Sequence, residues 1–274
     1  VFADDLLANK VALVTGGGTN LGKAAAAELA RCGASVVIAG RRPDVLSAAA
    51  EEVGERCSWV SGDIRERDGA ATIVRAALDR HGQLDFLLNN AGGQYFSAAE
   101  AITVKGWRAV QRLNVTGTLL MSNAAHALAM APAGTGSIVN VTVSPHQGMP
   151  AMAHTGAARA AVEALTRDLA DRWAANGVSV SALALGRFAT ESIRKYPAEL
   201  WRRAAQSVPL QRLGEVEEYG WLVALLASPL GRAFSGSVIT LDGALDNWFG
   251  PWPPEDLSPD GQIPVEARRS RARD

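Results

Sequence analysis

Short β-branched runs alternate with alanine-rich helical stretches along most of the chain, and this alternation restricts the fold more than any other feature. The strand candidates are 11–15, 35–39, 58–61, 86–89, 137–141, 178–183 and 238–241. Helical windows lie between them, near 21–32, 44–54, 66–81, 105–130, 153–175 and 215–227. Strands separated by helices at this spacing form βαβ units, and such units pair their strands in parallel. Right-handed crossovers then place helices on both faces. The expected fold is α/β: a single doubly wound parallel sheet of about seven strands.

The chain has 274 residues, 48% of them hydrophobic, which suits one large domain with a full core. A net charge of −1 gives no field for nucleic acid or an anionic membrane surface. No apolar run approaches the roughly 20 residues of a membrane span. The opening Val1-Phe2-Ala3-Asp4-Asp5 has no signal-peptide pattern. Cys32 and Cys57 make no disulfide framework and read as reduced thiols. Together these features set the expectation of a cytoplasmic protein without nucleic-acid or membrane partners, and no metal is expected.

Thr15-Gly16-Gly17-Gly18-Thr19-Asn20-Leu21-Gly22 follows the first strand and opens the first helix. Glycines let the backbone turn tightly and approach a pyrophosphate, and the helix N-terminus offers free N–H groups and partial positive charge. A glycine-rich turn alone can be only a turn; its place between a strand and a helix makes it a candidate nucleotide site. The spacing is not the generic G-x-G-x-x-G. The second strand ends Ala39-Gly40-Arg41-Arg42. An acid there suits the ribose hydroxyls of NAD, whereas arginine presents a charged planar fork to a 2′-phosphate. Arg41 and Arg42 therefore point to NADP(H); the bland alternative is a solvated arginine pair at a strand end.

These motifs resemble those of the short-chain dehydrogenase/reductase superfamily. The first turn is similar to its T-G-x-x-x-G-x-G, with Asn20 for the middle glycine; asparagine tolerates the left-handed backbone better than most residues. Asn89-Asn90-Ala91-Gly92 closes the fourth strand, Asp63 follows the third, and Asn114 lies in Leu113-Asn114-Val115-Thr116-Gly117-Thr118. Leu185-Gly186-Arg187-Phe188-Ala189-Thr190 resembles the Pro-Gly-x-x-x-Thr loop, with Leu185 for proline, and Phe234-Ser235-Gly236 through Asp242-Gly243 resembles the closing strand. The motifs keep the family's order and cover residues 8 to about 246. The resemblance implies a Rossmann-like domain over 1–246. It further implies that the nucleotide is held by Gly16, Gly18, Thr19, Asn20, Leu21, Gly22, Asp63, Ile64, Asn90, Ala91, Gly92, Gly186, Phe188 and Thr190, with Arg41, Arg42 and Arg159.

One helix departs from the family. Residues 152–165 are similar to its active-site helix, which normally carries Tyr-x-x-x-Lys, yet Thr155 and Arg159 hold those places. Gly92-Gly93-Gln94-Tyr95-Phe96-Ser97, Lys105-Gly106-Trp107 and His154-Thr155-Gly156-Ala157-Ala158-Arg159-Ala160 resemble the trans-2-enoyl-CoA and 2,4-dienoyl-CoA reductase branch, which also lacks that pair. The branch implies reduction of an enoyl thioester, a small-molecule substrate. Ketone reduction needs an acid for the developing alkoxide, and a threonine hydroxyl cannot be tuned to neutral pH. Enoyl reduction asks only for donors and a cation near the thioester oxygen. Positions 155 and 159 share a helix face, so Arg159 can supply the charge. Candidate donors are Thr155, Tyr95 and Thr142. Thr142 precedes Thr155 by the spacing of the family's active-site serine, and a one-residue shift puts Val143 there with Ser144 next. Asn114 serves such helices through a kink and a water chain. His146 and His154 read as surface or packing residues.

Two other readings stay open: a carbonyl or hydroxyl oxidoreductase with another acid such as Tyr95, and a nucleotide-binding protein without redox activity. The family's pairing through its two long helices implies a homotetramer. Residues 247–274 form an extension dense in proline and aromatics with a basic end; its aromatic part is expected to pack on the body or on a partner subunit.

Overall fold

The computed structural model describes residues 1–247 other than 145, 147, 150 and 192–197. The extension expected at 247–274 lies, beyond Asn247, outside the described residues. Seven strands form one sheet: β1 (Val11–Thr15), β2 (Ser35–Gly40), β3 (Cys57–Ser61), β4 (Phe86–Asn89), β5 (Gly136–Val143), β6 (Val178–Leu185) and β7 (Val238–Leu241). Their order is β3-β2-β1-β4-β5-β6-β7, with every ladder parallel. The helices are α1 (Asn20–Arg31), α2 (Pro43–Val53), α3 (Arg67–His81), a long α4 over 104–133, α5 (Ala153–Trp173), α6 (Ala198–Gln206) and α7 (Val216–Ala227).

Alternate strand residues feed two cores. Ala12, Val14, Phe86 and Leu88 pack with Leu29, Leu46, Tyr219 and Val223 from α1, α2 and α7. Leu13, Val37 and Leu87 pack on the other face with Ile73, Met121, Met130 and Trp173 from α3, α4 and α5. Burial on both faces explains why the strands read as continuous apolar runs rather than alternating ones. Local signals set the helix ends: Pro43 pre-forms the first turn of α2, and Gly82 adopts φ 74 after α3.

Polar groups fasten the layers. Asn89 Nδ2 donates to Ser122 Oγ at 2.9 Å and to Asn140 Oδ1 at 2.8 Å, and Asn140 Nδ2 donates to Thr166 Oγ1 at 2.9 Å. These bonds stitch β4 and β5 to α4 and α5. Between the same two helices, the His126 ring stacks on the buried Trp173 with centroids 4.1 Å apart. The expected strands are all present, but β5 and β6 run further than their apolar runs suggest, because they pair with each other from Gly136–Val178 to Val143–Leu185. The short α6 was not expected, although Leu200, Trp201, Ala204 and Ala205 recur at helical spacing.

Candidate cofactor cleft and active site

A cleft of about 800 Å³ opens over the carboxyl ends of the strands, where the sheet order reverses between β1 and β4. Ligands of such sheets bind at this switch point. Its floor is the turn from β1 to α1. Gly16 has φ 66, and a Cβ there would stand 3.0 Å from Ala91 Cα; a Cβ at Gly22 would stand 2.2 Å from Gly16 O. Side chains would fill this cradle. Asn20, where the family places a glycine, has φ 46.

Thr15 and Asn90 lock the turn to β4. Thr15 Oγ1 donates to Leu88 O at 3.2 Å and accepts the N–H groups of Asn90 and Ala91, each at 3.1 Å. Asn90 Nδ2 donates to Thr15 O at 3.0 Å. Tyr219, fully buried on α7, donates its hydroxyl to Asn90 Oδ1 at 3.1 Å, and burial pushes that phenol well above the usual range.

All seventeen residues expected at the nucleotide line this one cleft: Gly16, Gly18, Thr19, Asn20, Leu21, Gly22, Arg41, Arg42, Asp63, Ile64, Asn90, Ala91, Gly92, Arg159, Gly186, Phe188 and Thr190. Arg41 and Arg42 are exposed on the cleft rim, and Arg41 lies close enough to Asp63 to help lower its carboxyl. Asp63 is gripped by Arg65, whose Nε and Nη2 reach its two oxygens at 2.9 and 2.5 Å. That contact holds the Asp63 carboxyl at about 2. Arg65 was not singled out from the sequence.

The candidate catalytic residues separate. Arg159 stands on the cleft wall, 8% exposed, and donates Nη1 to Val141 O at 2.7 Å. Its Nε has no partner, and no carboxylate pairs with it among the described residues. Burial lowers it to about 10, which leaves it charged at neutral pH. A Cβ at Gly92 would stand 2.5 Å from Arg159 Nη2, so only glycine admits the guanidinium here.

Thr142 borders the cleft but is fully buried; its hydroxyl donates to Glu163 Oε1 at 3.1 Å. Half-buried Val143 is next along the wall, and Ser144 donates to Asp242 instead. Thr155 is not among the residues that line the cleft; it is fully buried and its hydroxyl has no partner. Tyr95 is also off the wall, its ring against buried His154 with centroids 4.3 Å apart. Asn114 sits in a π-helical turn of α4, Arg112–Thr116, and donates to Val110 O at 2.8 Å and Gly93 O at 2.9 Å. It thereby holds the loop after β4 at Gly93.

The cleft fits a dinucleotide on its own geometry. The glycine cradle has room only for backbone, a helix opens on it, and the Arg159 guanidinium stands in its wall.

Comparison with known proteins agrees. Residues 17–245 match the family described as enoyl-(acyl carrier protein) reductase. The peroxisomal 2,4-dienoyl-CoA reductase of Pongo abelii is 36% identical over 251 residues, covering 89% of this chain and 86% of that one. A probable 2,4-dienoyl-CoA reductase of Bacillus subtilis is 33% identical, covering 89% and 98%. Among solved structures, the citronellol catabolism dehydrogenase AtuB of Pseudomonas aeruginosa superposes with a TM-score of 0.81 at 36% identity, covering 90% and 98%. The relatives from Pongo abelii, Danio rerio and Arabidopsis thaliana are peroxisomal enzymes, which overturns the cytoplasmic expectation. Reduced thiols argue against an oxidising compartment but do not choose among reducing ones.

Proposed function

The chain belongs to the short-chain dehydrogenase/reductase superfamily, close to its 2,4-dienoyl-CoA and enoyl-CoA reductase branch, and from that oxidoreductase frame we propose that it reduces a carbon–carbon double bond of an unsaturated acyl thioester with NADPH. The observation that carries the proposal is the split between positions 155 and 159. The tyrosine's place holds a buried hydroxyl off the cleft wall, while the lysine's place holds a buried, unpaired cation on it. A site with a fixed cation and no phenol is poor at protonating an alkoxide. It is well made to stabilise negative charge on a thioester oxygen, where a preorganised donor in a water-poor site acts most strongly.

Bound NADPH supplies the hydride. Arg41 and Arg42 would hold its 2′-phosphate, and the Gly16–Gly22 turn would take the pyrophosphate on its N–H groups. Arg159 orients the ribose and offsets charge on the thioester oxygen. Water protonates the α-carbon, because Thr142 spends its hydroxyl on Glu163 and Thr155 and Tyr95 stand away from the wall.

The test is NADPH consumption on a panel of trans-2-enoyl-CoA and 2,4-dienoyl-CoA substrates, beside matching 3-ketoacyl thioesters. Consumption with the unsaturated thioesters alone is expected. Turnover confined to the ketoacyl set returns the assignment to a carbonyl reductase, and turnover with none leaves a nucleotide-binding protein.

A further inference from the structure

Behind the cleft is a cluster that neither the nucleotide nor the thioester reading uses. His146, in the loop after β5, has a carboxylate on each ring nitrogen. Nε2 meets Glu163 Oε1 of α5 at 2.9 Å, and Nδ1 meets Asp246 Oδ2 of the 3₁₀ turn Leu245–Asn247. The His146 backbone N–H also donates to Asp246 Oδ1 at 2.6 Å. Three separate elements therefore meet at one imidazole. Two further groups complete its charged surroundings: Asp242, which accepts the Asp246 N–H at 2.8 Å and the Ser144 hydroxyl, and Arg167, 4.0 Å from Glu163 Oε2.

The chemistry of imidazole makes this arrangement conditional. Carboxylates accept and do not donate, so both contacts are satisfied only when both ring nitrogens carry hydrogen. Loss of one proton leaves a ring lone pair facing a carboxylate lone pair, and one of the two contacts must open. Glu163 is 7% exposed and also holds the buried Thr142 hydroxyl, so it cannot swing away. Asp246 sits on a three-residue 3₁₀ turn and holds no buried side chain, so its contact is the one that opens.

We propose that His146 is a proton-operated latch that fastens the turn 245–247 to α5, closed when the imidazole is protonated and released at Asp246 when it is not. The latch acts on the site because its two ends continue into the cleft wall. Val143 lines the cleft three residues before His146, and Gly186, another wall residue, packs so closely on Asp242 that a Cβ would stand 2.6 Å from its Cα. His146 is thus a positioning residue for the deep end of the cleft. The direction of titration agrees: burial draws the imidazole down, but the contacts with Asp246 and Glu163 outweigh it and raise it above the ordinary histidine value of 6.5. For a group raised in the folded state, the contact is fully present below that ordinary value and is lost as pH rises through the raised one.

The experiment uses the whole chain without added ligand, so its outcome does not depend on the assigned reaction. The His146 imidazole is titrated by NMR from about pH 5 to about pH 9. In the same samples, amide hydrogen exchange is followed at residues 143, 144 and 146 and at 244–247 and corrected for intrinsic rates. Protection of both segments is expected to fall about tenfold or more as the imidazole loses its proton, the loss expected for one charge-assisted hydrogen bond. Asp246→Asn should lower the imidazole titration and remove the step at 244–247, while exchange in the β1–β4 core stays as in the parent and reports an intact fold. His146→Gln should flatten the pH dependence in both segments. An imidazole that titrates at or below the ordinary histidine value overturns the latch. So does protection that is indifferent to its titration, or a step that survives in His146→Gln.

Discussion

Arg159 combines two properties that a surface arginine does not. Its guanidinium is buried, and only one hydrogen bond to Val141 O compensates that burial. Removing such a preorganised donor typically costs about 10²–10³ in turnover. Arg159→Ala is therefore expected to lose that much kcat on an active enoyl thioester at saturating NADPH; near-native turnover would send the electrostatic role elsewhere. Gly92→Ala should act through the same group, since the added methyl would stand 2.5 Å from Nη2 and push it aside. Thr155→Val should behave oppositely. It replaces a buried hydroxyl without a partner by a methyl of similar shape, a change that is nearly neutral or stabilising when no partner is stranded. Unchanged or raised thermal stability with kcat within about threefold is expected, a threefold change being under 1 kcal/mol. A fall of a decade in kcat would show that the hydroxyl reaches the reaction after all. At the far end of the cleft, each phosphate contact is worth about tenfold to a hundredfold in affinity. The pair Arg41→Ala with Arg42→Ala should weaken NADPH by at least that factor and leave NADH unchanged in fluorescence titration. Equal affinities in the parent would count against the 2′-phosphate assignment.

At the scale of elements, the cleft depends on where helices start and where they are pinned. The π-helical turn around Asn114 gives that side chain the reach to bond both Val110 O in its own helix and Gly93 O in the loop after β4. Such turns occur mostly where a helix serves a site. The start of α7 is set by Glu218, which accepts the Glu215 N–H at 2.8 Å and both terminal nitrogens of Arg212 at 2.8 and 2.6 Å. The bonds from Arg212 hold its carboxyl down, from 4.5 to about 2. A depressed carboxyl stabilises the fold above its unfolded value and stops doing so as pH falls through the folded one. Stability should therefore decline between about pH 4.5 and about pH 2. Glu218→Gln should remove part of that decline and cost roughly 1 kcal/mol at neutral pH, allowing for the partial exposure of the pair. Thermal melts across that range decide the matter. A variant with the parent's full acid slope would place the sensitivity in other carboxylates, of which Asp63 beside Arg65 is next.

The molecule as a whole presents the outer sides of α4 and α5, joined by the His126–Trp173 stack, and a group of exposed apolar residues around the start of α4: Tyr95, Phe96, Val104 and Trp107. We propose that these helices pair copies of the chain in a homotetramer, as the family resemblance implies. Light scattering at micromolar concentration should give four times the 28.7 kDa chain mass. A stable monomer there would sink the assembly, and with it any burial of the apolar group by a second copy. Among the described residues no helix is long and apolar enough to cross a membrane.

What was legible in the chain follows from how far each signal reaches. Strand and helix order, the parallel sheet and the β1–α1 turn depend on residues within a few positions of each other, so their periodicity and glycine spacing carried them. Even the left-handed Asn20 could be read, because the dihedral preference is its own. The residues expected at a nucleotide likewise come together along one cleft, since that cleft is assembled from the ends of successive strands in chain order. The active-site hydroxyls were not so well placed. Thr142 and Thr155 had the right type and spacing, but whether a hydroxyl meets the cleft depends on which way the end of β5 turns and how deep α5 sits, and those are fixed by packing between layers. His146 is at the surface, as its sequence context suggests, but its contacts could not be read. Its partners, Glu163 and Asp246, lie 17 and 100 positions away, and only the closed sheet brings α5 and the turn after β7 to one imidazole.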